Sequence, residues 1–561
     1  MRGIRKSPHS LVSLLVKIVS LTTILVNSSA SVAQTLHVDK GSGFVYHAYF
    51  RKVAEEDPGT VHLLIANTTS NILAIRKLCL NGCPTEQMPN DFVFWYRTVP
   101  EVARPTEVMD VMLKMRRVTH KPIRVDGITN SGSQVSIILD AIPPGLKFSF
   151  VGHSKELDKV YLYLQNQSEK PLRIQKLWCN LDEITSRCWI PEPTIPSHSK
   201  ALVVFSPPSK LRPGDYLAFK VLTDKEVVAA AQTRIYTHFP IAAFYGDTRT
   251  EFGFDEVPFD MPFPSSQAEF EQSQRQPSHR VYHVFNDPAC NDGRAGQLIG
   301  TNMKQIAKRT AECYEKDHIH PSIIYLCHHL CRFSYCVYGE ATDIIAADPY
   351  QMQNRQDQPM KNAEYMALAK KATEPRMLWS IPEAWTDLSR QRFPTPEEER
   401  IIVYSEIGEG SKGVWYFSAK QTSGYRRSPP LEAEIGRINN ELCFLRDYIV
   451  VSEPFSLATT NNEKVRPYSL LCGDKGIVLI LINLSHQSSF DTGKPAFTYY
   501  PQEGLLVECR IPEWFKLADV VSVEDGKSKK IDYHKVGNTL VVPIERLDIT
   551  KQILITGGRA L

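Results

Sequence analysis

The sequence predicts a multidomain chain: two N-terminal β-sandwich modules, a central (β/α)8-type barrel, complete or degenerate, and a C-terminal β-sandwich. Three observations carry this. Residues 61–81, VHLLIANTTSNILAIRKLCLN, realign without a gap on residues 160–180, VYLYLQNQSEKPLRIQKLWCN, with eight of 21 positions identical at an offset of 99 residues, a domain-sized repeat. Residues 395–418, TPEEERIIVYSEIGEGSKGVWYFS, read as a capped helix, a glycine stop and a strand apolar on both faces, which is one αβ unit of a parallel sheet covered by helices. Beyond Pro454, strand-like runs follow one another with no long helical pattern between them. At 561 residues the chain exceeds what one core can organise.

Arg2, Arg5 and Lys6 precede an apolar stretch from Leu11 to Val26, broken by Lys17, and Ser31-Val32-Ala33 offers a small-x-small cleavage pattern. Residues 1–33 are thus expected to be a signal peptide, making the product secreted, periplasmic or on the cell surface. No later run reaches the roughly 18 apolar residues of a spanning helix, so no integral membrane span is expected after signal cleavage. Export allows disulfides. Among the twelve cysteines, Cys79 with Cys83 and Cys179 with Cys188 are candidate local bridges. A net charge of +3, from 65 basic and 62 acidic residues, gives no electrostatic reason for a nucleic-acid partner.

The two copies of the repeat alternate apolar and polar residues around a polar turn, the pattern of half-buried strands, and define β-sandwich modules at 36–145 and 146–232. Asn67-Thr-Thr, Asn166-Gln-Ser and Asn483-Leu-Ser read as glycosylation acceptors in a eukaryotic secretory host. From residue 233 to 452 the pattern becomes that of the barrel. Strands are predicted at Ile241–Tyr245, Val281–Phe285, Ser322–Leu326, Asp343–Ala347, Met377–Ile381 and in GVWYFS, six or seven in all. Helices are predicted around Met360–Ala372, with Met303, Ile306, Thr310 and Cys313 on one stripe, and with Leu431, Ile435, Ile438, Leu442, Leu445 and Ile449 on another. Residues 251–279 show neither period and read as a long loop over the barrel mouth. The C-terminal sandwich is expected at 460–561.

Parallel strands of a barrel point their carboxyl ends at one mouth, so polar residues just past strands converge there. That rule selects Asp247, Asn286, Asp287, His328, Asp348 and Glu383. Asp348 and Glu383 follow consecutive strands and form the candidate catalytic carboxylate pair, on the geometry that a glycosidic bond requires. Tyr245, Tyr350 and Trp385 are candidate platforms for the apolar faces of a sugar. A plainer reading stands beside this one: Asp-Pro-Tyr is also a good turn, and a glutamate beside a tryptophan can simply cap a loop. Glu406 and Glu409 fall in a helix or its last turn and Glu340 precedes its strand, which makes them weaker candidates. Cys327-His-His-Leu-Cys331, with Cys336 nearby, has metal-like residue types but no second cluster at finger-like spacing, and neither metal nor cofactor is expected. No phosphate-cradling loop, nucleophile-elbow serine or dinucleotide fingerprint is present.

On FPIAAFYG, TDIIAADPY, PTPEEERIIVYSEIGEGSKGVWYFS and LEAEIGRINNELCFL, residues 233–560 resemble the glycoside-hydrolase-like barrel proteins secreted by planctomycete-type bacteria. The preceding modules resemble that group's accessory domains. The resemblance implies a secreted glycoside hydrolase acting on a poly- or oligosaccharide. One departure matters. The large retaining clan carries an acid/base after strand four and a nucleophile after strand seven, and GVWYFSAKQ has no carboxylate at its end. The alternative is therefore a non-catalytic carbohydrate-binding or cell-envelope protein with a degenerate barrel.

Overall fold

The computed structural model describes residues 37–38, 44–85, 93–117, 121–244, 281–285, 299–327, 333–350, 352, 358–386, 392–420, 422–491 and 493–559. The leader expected at 1–33 lies outside them. Alternation in the first repeat copy produces two antiparallel sheets. One pairs Phe44–Arg51, Thr60–Ala66, Val108–Met115 and Val93–Val99; the other is built on Leu73–Leu80, Ile123–Thr129 and Gln134–Leu139. Leu63, Leu80, Leu113, Val125 and Ile137 fill the space between them. The second copy repeats the plan, with Val160–Asn166 and Leu172–Cys179 in facing sheets.

The likeness of the copies extends to backbone detail. The ladder slips between Ile75 and Lys77 in the first and between Ile174 and Lys176 in the second, a bulge that re-aims the strand. Asn81 and Asn180 both take φ 49°, the left-handed region that asparagine tolerates in a tight turn.

Asn67 and Asn166 end equivalent strands and are fully buried. The Asn67 amide donates to Asn71 O and Ala103 O, and its Oδ1 accepts from Thr69; the Asn166 amide donates to Lys170 O and Ile195 O, and its Oδ1 accepts from Ser168. Asn483 does the same at the end of Gly476–Asn483, donating to Tyr500 O and Asp548 O and accepting from Ser485 N. These three asparagines therefore replace missing ladder bonds inside sandwich corners. They are not the exposed acceptors that the Asn-x-Ser/Thr pattern suggested.

The expected disulfides are also absent: among the described residues Cys79, Cys83, Cys179 and Cys188 form no disulfide. Cys79 lies opposite Pro84 and Cys83 opposite Leu80, so the two sulfurs leave opposite faces of their hairpin. Cys179 and Cys188 sit in facing sheets, and burial pushes both thiols up to about 12.

The central sheet is parallel throughout. Its strands are β1 Ile241–Ala243, β2 Tyr282–Phe285, β3 Ser322–Cys327, β4 Ile344–Asp348, β5 Met377–Ser380 and β6 Val414–Tyr416. They follow the order β1-β6-β5-β4-β3-β2. Neighbours are consecutive except that the last strand pairs with the first. Around them lie α1 Ile299–Lys316, α2 Phe333–Tyr338, α3 Lys361–Thr373, α4 Pro396–Gly408 and α5 Pro429–Ile449. Six strands and five helices are present among the described residues, which do not by themselves show an eightfold barrel; their strand order is that of an arc with its seam between β1 and β2.

The local signals that positioned α4 and α5 act as written. Thr395 Oγ1 accepts from Glu398 N at 3.3 Å and Glu398 Oε2 accepts from Thr395 N at 2.7 Å, with Pro396 in the first turn. The six apolar residues of the α5 stripe are all buried. Both helices pack on the C-terminal sandwich, whose larger sheet centres on Val465–Cys472, Gly476–Asn483, Thr550–Arg559 and Phe515–Glu524 and whose smaller sheet centres on Gln502–Arg510 and Thr539–Leu547. Among the described residues no helix is long and apolar enough to cross a membrane.

Candidate active site

Asp348 is the last residue of β4, in register with Cys327 of β3. Glu383 stands three residues beyond β5 and bridges to Phe417, just past β6: Ala384 N donates to Phe417 O at 2.6 Å and Phe417 N to Pro382 O at 2.9 Å. The rings of Tyr350, Trp385 and Phe417 gather there, with centroids 6.5 Å apart for Tyr350 and Trp385, 5.7 Å for Tyr350 and Phe417, and 5.2 Å for Trp385 and Phe417. Tyr350 takes φ 41°, a region that bulky residues enter only when their surroundings hold them. Asp348, Tyr350, Glu383 and Trp385 thus share the carboxyl-terminal edge of adjacent strands. Tyr245, Asp247, Asn286, Asp287 and His328 lie outside the described residues.

Glu383 is 1% exposed and Asp348 5%. Two further glutamates from α4, Glu399 and Glu406, are fully buried and face the same region. Burial pushes the Glu399 carboxyl well above the usual range, and the nearby Glu406, Glu383 and Glu398 raise it further. Neither Glu399 oxygen has a hydrogen-bond partner among the described residues. Burial likewise pushes Glu406 up to about 8; hydrogen bonds from Asn362, at 3.1 Å, and Ser380 pull it down, and Glu383 raises it. Such a group holds a proton near neutrality, which makes the surroundings of Glu383 a place where a proton can be stored.

In the sequence Glu406 reads as a weaker candidate and Glu399 is not singled out. The signal was present in EEERIIVYSEIG: apolar residues occupy nearly every direction around the helix, so the acids between them are buried as well.

At the opposite, amino-terminal edge of the sheet, buried acids are handled differently. Asp343 accepts from Arg234 Nη1 at 2.8 Å, Tyr216 Oη at 2.6 Å and Ser322 N at 2.9 Å. Glu340 meets Arg51 at 2.5 Å and His62 at 2.9 Å. Although burial works to raise Glu340, Arg51 and His62 outweigh it and hold its carboxyl well below the usual range, while His62, flanked by Glu340 and Asp110, is raised to about 9. Among the described residues no group of three or more His, Cys, Asp or Glu side chains is arranged to hold a metal.

No family model matches the sequence, and no curated protein does. Among solved structures the chain is similar to a cycloisomaltooligosaccharide glucanotransferase from Paenibacillus sp., at 7% identity and a TM-score of 0.35, covering 73% of this chain and 100% of that one. It is also similar to a putative β-galactosidase from Bacteroides fragilis, at 8% identity and a TM-score of 0.24 over 92% of this chain and 98% of that one, and to β-glucuronidase 2 from Bacteroides uniformis, at 7% identity and a TM-score of 0.25 over 92% and 80%. Likenesses of that size decide neither activity nor substrate, and the functional reading rests on the strand-end geometry.

Proposed function

We propose that the chain is a glycoside hydrolase acting on a poly- or oligosaccharide, with Glu383 as one of two catalytic carboxylates and an eight-stranded parallel barrel as its frame. The observation that carries this is the position of Glu383 at the carboxyl edge of β5, bridged to Phe417 and beside the Tyr350 and Trp385 rings. A carboxylate next to aromatic faces suits a glycosidic oxygen next to a sugar ring.

Strand order supports the same reading. Because β6 pairs with β1, it is the closing strand and not the seventh of an eight-strand frame. The seventh is then β5, and Glu383 follows it, where the retaining clan carries its nucleophile. The same count makes β2 the fourth strand, after which the sequence runs Asn286-Asp287. The partner carboxylate is Asp348 or Asp287. We take the signal at 1–33 to export the protein, so that the secreted or cell-surface product begins at Gln34 on N-terminal sequencing.

The purified chain is assayed for reducing ends released from a panel of polysaccharides. Glu383→Gln abolishes release while glycan binding persists, because the acid/base or nucleophilic oxygen is lost with little change of shape. Whichever of Asp348→Asn and Asp287→Asn has the same effect identifies the partner. The burial of Glu383 and Asp348 favours one rival, a non-catalytic glycan-binding protein; glycan binding with no reducing ends released by the unmodified chain establishes that reading.

A further inference from the structure

A second concave site lies away from the strand ends, where the first sandwich meets the outer flank of α1. It is a cleft of about 580 Å³ walled by Tyr96 to Val102 on one side and by Lys304 to Glu315 on the other, within the size range of pockets that hold small ligands. Its apolar surface is partly in water: Tyr96 and Val102 are both 39% exposed. On the facing wall Tyr314 packs against Tyr216 with centroids 5.4 Å apart and ring planes tilted by 55°, and the Arg234 guanidinium lies 5.5 Å from the Tyr216 ring and 5.4 Å from the Tyr314 ring. That backing fixes the Tyr314 ring before any ligand arrives.

The charges lining the cleft are of both signs. Lys304 and Lys308 of α1 lie among Glu312 and Glu315 of the same helix and Glu101 of the facing wall, with Lys308 3.8 Å from Glu312, so the cleft presents no block of one charge that would select an anion or a cation. It offers donors and acceptors side by side instead. Glu101 and Glu315 are close enough to repel, and burial together with Glu315 raises the Glu101 carboxyl. A ligand hydroxyl donating between them relieves that conflict. At the floor the Thr310 hydroxyl has no hydrogen-bond partner among the described residues, although a helical threonine ordinarily bonds back to its own helix.

We propose that this cleft is an ancillary binding site for a neutral oligosaccharide, which packs a sugar face on Tyr96 and Tyr314 and shares its hydroxyls among the charged rim residues. The chemistry follows from the combination. Flat aromatic surface selects a ligand with an apolar face, and a rim of both charges selects one that both donates and accepts without net charge. The site is independent of hydrolysis at Glu383, since none of its residues belongs to the central parallel sheet or to the segments immediately past the ends of its strands.

The test is calorimetric titration of the full chain with cellohexaose, xylohexaose, maltohexaose and mannohexaose. At least one binds saturably, and both Tyr96→Ala and Tyr314→Ala weaken it tenfold or more. Tyr500→Ala, which removes an exposed aromatic ring of the C-terminal sandwich away from both sites, leaves that affinity unchanged. Tyr96 is partly exposed and its truncation does not threaten the fold, so it decides the matter if Tyr314→Ala fails to fold. Hydrogen exchange provides a second readout, with the bound sugar slowing exchange in 93–103 and 301–315. No binding by any of the four hexaoses, or Tyr96→Ala binding like the unmodified chain, overturns the proposal. Weakened hexaose binding in Tyr96→Ala with release of reducing ends retained separates the two sites.

Discussion

The two edges of the central sheet bury carboxylates to the same depth and leave them in opposite states. At the amino-terminal edge, Glu340 and Asp343 are met by Arg51, His62, Arg234 and Arg97 and are held ionised. Around Glu383, burial drives the α4 glutamates Glu399 and Glu406 toward the neutral form, Glu383 adds to it, and no cation among the described residues offsets it. Burial alone therefore does not set the protonation of an acid. What shares the burial does. The paired edge joins domains, since Arg51 and His62 come from the first sandwich and Arg234 ends the last strand of the second. The acid-rich side lies next to the candidate chemistry.

The largest effect tests the paired edge. Asp343→Ala strips the partner from Arg234 and Tyr216 and from the Ser322 backbone at once, and an uncompensated buried cation costs about 3–5 kcal/mol. Chemical denaturation of the variant is expected to show that loss. A change below about 1 kcal/mol breaks the comparison, because the pairing then carries no stability.

The second test is the pH dependence of the acid-rich side. Glu406 is raised from 4.5 to about 8 in the folded chain, so its contribution to stability is fully present below about 4.5 and is lost as pH rises through about 8. Within that window the loss is at most about 1.4 kcal/mol per pH unit. Glu406→Gln, neutral at every pH, flattens the decline, and Tm measured between pH 5 and 8.5 shows the two proteins diverging. Glu453 behaves in the opposite sense. Lys200 and Lys370 overcome its burial and lower it to about 2, so its contribution is present above about 4.5 and is lost as pH falls through about 2. Parallel curves for Glu406→Gln and the unmodified chain would show that Glu406 is ionised like the paired acids.

Part of this organisation is written locally and part is not. The Thr395, Pro396 and Glu398 pattern starts α4, and the α5 stripe faces the core, because helix caps and amphipathic faces are decided by residues three and four apart. The 61–81 and 160–180 repeat is legible because both copies bury the same alternation. Asn483 carries no such flag: its role as a third corner asparagine depends on Asp548 and Tyr500 closing over it. Glu383 was legible as the acid after a strand. Its acidic company was not, since Glu399 and Glu406 become neighbours of Glu383 only when α4 folds back over β5. The Arg51–Glu340 pair, 289 residues apart in sequence, has no local signal at all.

Glu399→Gln gives a smaller effect and sharpens the contrast. Burial and the nearby acids drive the carboxyl toward its neutral form, so exchanging its hydroxyl for an amide is expected to change stability by less than about 1 kcal/mol. Its effect belongs to Glu383, on which Glu399 acts electrostatically. In a hydrolysing chain the pH–rate profile shifts while KM stays nearly constant, a signature that a packing defect does not produce. An unchanged profile removes Glu399 from the setting of Glu383.

The smallest effect separates pairing from burial. Lys155 Nζ meets Asp447 of α5 at 3.0 Å, a separation close to those of the buried pairs, and it too bridges two domains. The side chains are 65% and 55% exposed, however, so water already solvates both charges and salt screens what remains. Lys155→Ala is therefore expected to cost about 0.2–1 kcal/mol at low ionic strength and nothing measurable in 1 M salt, where Asp343→Ala keeps its full effect. A loss as large as that of Asp343→Ala would mean that proximity alone sets the strength of an ion pair in this chain, and the contrast between the two sheet edges would then need a cause other than the company each carboxylate keeps.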